Sequence, residues 1–257
     1  MMMKRMKYWL PGVNGAIMCL MAAFLAPAAL AQAPGAQTSG QQALVVLELF
    51  TSQGCSSCPP ADALMKDWAK QPNVLPLSLH VDYWDYLGWR DTFGKKGHSI
   101  RQQDYARNMG ARQIYTPQAV IDGEFEAIGS DRATVAAMLE KARQKQRLVL
   151  QAARDGNGRW QVSVPAMAGW KGDAKVLLCR YDRHDEVKVE RGENHGRTLE
   201  YLNVARAWNT FGSWHGEAAS YTVPDLGNID WRQEGVVVML QSLKGPILGA
   251  IDLQPAK

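Results

Sequence analysis

The sequence predicts an α/β domain followed by a β-rich domain, and three observations carry that expectation. An apolar run, Ala43 to Phe50, leads into a Cys-Ser-Ser-Cys segment and then into apolar residues at helical spacing. Strand-like and helix-like patterns then alternate as far as Arg143. From Leu148 the texture changes to short alternating segments punctuated by turn residues.

The chain opens with Lys4, Arg5 and Lys7, runs apolar and uncharged from Ala16 to Ala26, and reaches Ala29, Leu30 and Ala31. That is the layout of a secretory signal peptide over residues 1–31. Pro27 and the Ala-Leu-Ala site stop the run short of the roughly twenty residues a membrane span needs. The expectation is an exported protein, periplasmic or secreted, with no stable membrane insertion after cleavage; an uncleaved anchor is the alternative. Cys19 would be lost with this segment. Cleavage removes three basic residues and no acidic one, so the net charge falls from +4 to +1. A nearly neutral chain gives no reason to expect nucleic acid or anionic lipid as a partner. Residues 32–42, polar and small, read as a flexible leader.

The first domain is expected over residues 43–145. Ala43 to Phe50, apolar except for Glu48, suits a strand buried on both faces. Ala61, Leu64, Met65 and Trp68 then recur at helical spacing, with Pro59 and Pro60 where a first turn tolerates missing donors. Val74 to Tyr83 alternates as a strand, residues 99–110 read as a helix ending at Gly110, and Gln118 to Ile128 reads as a hairpin turning at Asp122-Gly123. Asp131 is placed to cap a helix running to about Arg143. This order is that of a thioredoxin-like α/β domain. Residues 146–257 are expected to form a separate β-rich domain, a sandwich, with strands at 148–152, 160–164, 176–181, 236–240 and 247–253.

Three cysteines lie beyond the leader: Cys55, Cys58 and Cys179. A bridge between Cys55 and Cys58 closes too small a loop to restrain much chain, so reactivity explains the pair better than scaffolding. At a helix start, unpaired amides and the macrodipole lower a thiol pKa, which makes Cys55 the expected nucleophile and Cys58 the resolving thiol. Half of a zinc site is the bland reading, but no second pair accompanies it. Tyr115-Thr116-Pro117 precedes the hairpin. Its resemblance to thioredoxin-like proteins implies a cis Pro117 against the cysteine pair, with Thr116 offering backbone hydrogen bonds to a docked chain.

Four segments carry a wider resemblance: ELFTSQGCSSCPPAD at 48–62, HVDYWDYLGW at 80–89, YTPQAVIDG at 115–123 and GENHGRTLEYLNVAR at 192–206. On these the chain resembles the secreted, thioredoxin-like family called domain of unknown function 1223, a likeness that implies fold and location more than reaction. Gly54 and Ser56-Ser57 depart from thioredoxin proper, which leaves reduction potential and direction open.

Further residues carry paired readings. Glu48 is either a buried acid relaying protons to the resolving cysteine or an exposed strand end, and Asp82 is a second candidate relay. Tyr83, Trp84 and Trp89 form either a substrate-docking rim or plain core. His80 is either a copper ligand beside the thiolates or a hydrogen-bonded core histidine. Cys179, in an apolar segment, reads as a small buried hydrophobe or as a third redox partner. GENHGR has the turn residues of a hairpin connection or loop. No P-loop, dinucleotide fingerprint, HExxH or GxSxG is present, which argues against a nucleotide enzyme or serine hydrolase.

The expected function is thiol-disulfide exchange with a protein thiol or disulfide partner, needing no cofactor beyond the cysteine pair and no resident metal. The alternatives are a periplasmic copper-handling protein using the same cysteines and a non-catalytic binding module.

Overall fold

β1 (Val45–Thr51) is buried along its whole length. A computed structural model describes residues 43–254 of the chain. The signal peptide and Cys19 expected at 1–31, and the leader expected at 32–42, lie outside the described residues.

α1 (Pro59–Trp68) starts directly after the cysteine loop, with Cys58 as N-cap and prolines in the first two helical positions, where a missing N–H costs no helix bond. β2 (Val74–His80) pairs with β1 in parallel, from Val45 beside Val74 to Thr51 beside His80. α2 (Lys96–Met109) ends at Gly110, whose left-handed φ of 69° closes the helix. β3 (Gln118–Ile121) runs antiparallel to β1 and turns through Asp122 and Gly123 into β4 (Phe125–Ile128). α3 (Arg132–Arg143) is capped by Asp131, whose carboxylate accepts from the Thr134 N–H at 3.0 Å.

The remainder is strand: β5 (Gln151–Arg154), β6 (Trp160–Val164), β7 (Ala174–Lys188), β8 (Thr198–Trp214), β9 (Ala219–Thr222), β10 (Glu234–Ser242) and β11 (Ile247–Leu253). Here the expected architecture is overturned. The fold is not a thioredoxin-like α/β domain followed by a separate sandwich, because β1 to β4 and the long strands β7, β8, β10 and β11 belong to one eight-stranded mixed sheet. Its order is β11-β10-β7-β8-β2-β1-β3-β4. The seam is β2 against β8, where Ser78 pairs with Val204. Side chains finish that short pairing: the Ser78 hydroxyl donates to the Leu202 carbonyl at 2.8 Å and the Asn203 amide to the Pro76 carbonyl at 2.8 Å. A three-stranded sheet, β5-β6-β9, packs its apolar side on the far half through Trp160, Val162, Val164, Val176 and Trp214.

The cores follow the alternation of β1. Val45, Leu47 and Leu49 pack with Ala61, Met65 and Trp68 of α1 and Val135 and Leu139 of α3. Val46 and Phe50 face the other way, into a core that combines Tyr105 of α2 with Cys179, Val237 and Met239 from the far half of the sheet. Gly129 shows how tight the first side is, since any Cβ there would fall 2.5 Å from Leu49 Cδ1.

Candidate functional site

The loop leaving β1 carries Cys55 and Cys58 joined as a disulfide, with their Cα atoms 5.4 Å apart. It is wound tightly: the Cys55 N–H donates to the Ser52 carbonyl at 3.1 Å and the Cys58 N–H to the Cys55 carbonyl at 3.2 Å. The Cys58 carbonyl then accepts the first bonds of α1, from Ala61 and Asp62. The disulfide therefore stands at the N-terminal end of that helix, with Cys55 ahead of it and Cys58 as its N-cap. Ser56 and Ser57 are exposed, whereas Cys55 is 2% exposed and Cys58 0%.

Two neighbouring segments account for that cover. The connection between β7 and β8 brings Asn194, 1% exposed, onto the cysteine loop, where its amide donates to the Gln53 and Cys55 carbonyls at 2.9 Å each. Arg197 holds the Asn194 side-chain oxygen at 2.9 Å, and Glu193 accepts from the Ser56 N–H at 3.3 Å. From the segment after β2, Trp84 lies so close to Gly54 that a Cβ on this glycine would approach the Trp84 Cβ at 3.2 Å. The Trp84 indole donates to the Thr116 hydroxyl at 2.7 Å, and the Thr116–Pro117 peptide is cis. Trp84 thus ties the cysteine loop to the turn before β3. Tyr86, 77% exposed, stacks on Trp84 and forms the outer rim.

On the inward side of α1, one turn beyond Cys58, a buried polar cluster begins at Asp62. Asp62 is 4% exposed and shares the inward side of α1 with Ala61 and Met65. One carboxylate oxygen accepts from the Thr51 hydroxyl at 2.7 Å, and the other has no protein partner. Burial pushes its pKa up to about 7, against the opposing pull of His80 and the Thr51 bond. His80 bonds Asp91 through Nδ1 at 2.8 Å, while its buried Nε2 is unpartnered. Asp91 also accepts from the Gln53 N–H at 2.7 Å and the Phe93 N–H at 2.8 Å. Although burial pushes the Asp91 pKa up, His80 and these bonds bring it below the ordinary range. The Tyr201 ring packs edge-on to His80 at 4.5 Å, and its buried hydroxyl is likewise unpartnered.

The structure brings together Cys55, Cys58, Trp84 and Thr116, with Pro117 buried beside Ala61 and Leu49 across Gly129. It does not bring Glu48 to them. Glu48 is fully buried, but on the α2 side of β1, where Arg101 clasps it at 2.6 and 3.0 Å and Tyr105 donates to it. Asp82 is half-buried and bonded to Ser99 at 2.6 Å. Tyr83 bonds Gln102 at 3.1 Å, and the Trp89 indole donates to the Gln53 side chain at 2.8 Å. His80 is a core histidine bonded to a carboxylate. Cys179 is buried, with its thiol pKa raised by burial and by nearby Glu48. Among the described residues, no group of three or more His, Cys, Asp and Glu side chains is placed to hold a metal ion.

Asp62, Asp91, Asn194 and Tyr201 are absent from the expected set. Asp62 had a legible signal, since it stands four residues after Cys58 on a helix and so shares its face. Asn194 lies in GENHGR, where turn chemistry gives no hint of its target.

The family model described as protein of unknown function (DUF1223) matches residues 46–241. Protein AGR_C_4864 from Agrobacterium tumefaciens, known from an X-ray crystal structure, is 30% identical with a TM-score of 0.71, the match covering 84% of this chain and 97% of that one. HBP35 of Porphyromonas gingivalis is 12% identical with a TM-score of 0.51, covering 82% of this chain and 75% of that one, and shares the fold alone. No curated protein matches the chain.

Proposed function

We propose that this chain, which belongs to the DUF1223 family, is an exported protein that exchanges disulfides with thiols of other proteins through Cys55 and Cys58. The observation that carries the reading is the place of the disulfide. It links residues only three apart, where it restrains almost no chain, and it stands at the N-terminal, positive end of the α1 dipole. The basic, then apolar, then small-residue N-terminus and a bridge suited to an oxidising compartment support export.

In the exchange, a partner thiolate attacks the Cys55 sulfur, the Cys55–Cys58 bond breaks, and a mixed disulfide forms on Cys55. A second thiolate of the partner then attacks the partner's own sulfur, so the partner leaves as a disulfide and Cys55 and Cys58 are left reduced; in the opposite direction the Cys55 thiolate attacks a partner disulfide, and Cys58 attacks Cys55 to release the reduced partner. The 2% exposure of Cys55 requires the Glu193–Asn194 cover to shift before attack. Trapping tests this directly. Cys58→Ser, made in the full chain, is expected to accumulate partner proteins covalently on Cys55 and to release them on reduction, while Cys55→Ser captures none. Equal capture by both variants counts against exchange.

The same burial favours a second reading, a binding module in which the bridge is scaffold. Partner binding unchanged in Cys55→Ser/Cys58→Ser is its expected signature. Copper handling gains no such support, because cysteines joined to each other offer no thiolate ligands.

A further inference from the structure

Opening the disulfide creates a difficulty at Cys58. Its sulfur is fully buried, and a thiolate left there by attack on Cys55 would carry a charge out of reach of water. A proton source on the same buried side removes that cost. Glu48 does not fill the role, because it lies on the α2 side of β1, held by Arg101 and Tyr105.

Asp62 has the required placement. It follows Cys58 by four residues, and its N–H donates to the Cys58 carbonyl at 3.1 Å, so both side chains project from one face of α1. Its free carboxylate oxygen, His80 Nε2 and the Tyr201 hydroxyl are three buried polar atoms without protein partners, contributed by α1, β2 and β8. A fully buried scaffold normally satisfies such atoms. The groups facing Asp62 are Thr51 from β1, His80 from β2, Asp91 from the segment after it, Tyr201 from β8 and Arg197 from the cover. Burial keeps the carboxyl protonated to about pH 7, so the proton is present where it is needed.

We infer that Asp62, backed by His80 and Tyr201, is the proton-transfer group for Cys58. This rests on the exchange reading above. As the incoming thiolate bonds to Cys55, the electron pair of the broken S–S bond goes to Cys58 sulfur, which takes the Asp62 proton and leaves a carboxylate. In the opposite direction, where the Cys55 thiolate has attacked a partner disulfide, the Asp62 carboxylate takes the Cys58 proton, Cys58 sulfur attacks Cys55 to form the Cys55–Cys58 bond, and the partner leaves as its thiolate. No oxidant or reductant is needed beyond the partner's own thiol or disulfide.

The test is the reduction rate of the Cys55–Cys58 disulfide in the full chain by dithiothreitol from pH 5 to pH 9, corrected for the thiolate fraction of the reagent. The wild-type rate per thiolate is expected to fall on the order of tenfold across an inflection near pH 7, as Asp62 loses its proton. Asp62→Asn retains an acceptor for Thr51, and is expected to run flat at the lower level. Glu48→Gln is expected to keep the wild-type inflection. Exchange at all pH values without an inflection, or with the same inflection in Asp62→Asn, overturns the role of Asp62 while leaving exchange intact. A disulfide inert at every pH overturns exchange itself, and this role with it. Should Asp62→Asn not fold, Asp62→Ser, which is smaller and keeps an oxygen for the Thr51 bond, is read in its place with the same two outcomes.

Discussion

β1 carries a buried ionisable cluster on each of its two sides, and the two are built differently. On the α2 side, Glu48, Arg101, Tyr105 and Gln241 satisfy one another. Arg101 makes two bonds to Glu48 and one each to Gln241 at 2.8 Å and Tyr105 at 2.6 Å, and Gln241 bonds Tyr105 at 2.9 Å. The Arg101 guanidinium also lies over the Trp208 ring at 4.4 Å. This cluster ties α2 and β1 to β10, and every charge in it has a partner. On the α1 side, Asp62, His80 and Tyr201 each keep a buried polar atom free of protein partners. Closed clusters hold a fold together. The one with free atoms begins on the helix that starts at the disulfide, and it is there that we place the proton transfer.

The largest expected effect breaks the closed cluster. Glu48→Gln strands the Arg101 charge in the core and is expected to cost about 3–5 kcal/mol, read as a lower denaturation midpoint. A stability loss under 1 kcal/mol would mean that the cluster is not what joins α2 to the sheet.

The next effect comes from the open cluster, with opposite sign. The Asp62 pKa is raised from 3.8 to about 7, so the folded state binds this proton more tightly than the unfolded chain does. Its contribution is present below about pH 4 and is lost as pH rises to 7. Asp62→Asn is therefore expected to be more stable than wild type at pH 8, by about 2–4 kcal/mol, with the gap closing toward pH 4. Urea unfolding at the two pH values checks this. A constant difference would place the Asp62 pKa near its ordinary value.

Asn194→Ala removes two bonds between the cover and the cysteine loop. A weakening of about 1–3 kcal/mol is expected to speed reduction of the disulfide, measured as its rate with dithiothreitol at one pH. An unchanged rate would show that the cover does not limit access. Smallest is Trp84→Phe, which deletes the bond to Thr116 while keeping a ring against Gly54. Its expected cost is about 0.5–1.5 kcal/mol, measured by thermal unfolding.

The contrast between the two clusters also shows what the sequence made legible. Local periodicity located β1, α1, β2, the β3–β4 hairpin, α3 and the last two strands, because each is written in one window of chain. β8 escaped because its ladder with β7 shifts register twice, and Asn203 sits at a φ of 49°, so two-residue alternation breaks along it. Its parallel pairing with β2 joins distant segments, and missing it turned one sheet into two expected domains. Among the site residues, the cysteines and Thr116-Pro117 were visible as a motif. Glu48 stood out as a lone acid in an apolar strand, yet the side of the sheet it faces depends on Arg101 and Gln241, which local pattern cannot place beside it. Asp91 and Tyr201 reach His80 only through the tertiary fold.

The central claim is that Cys55 and Cys58 exchange electrons with thiols from outside the molecule. Equilibrating the full chain across ratios of reduced to oxidised glutathione, then alkylating and weighing it, measures this most directly. A reversible two-electron transition at Cys55 and Cys58, absent from Cys55→Ser and leaving Cys179 unlabelled, is the predicted result. A disulfide that stays closed across the whole series while the chain remains folded would contradict it.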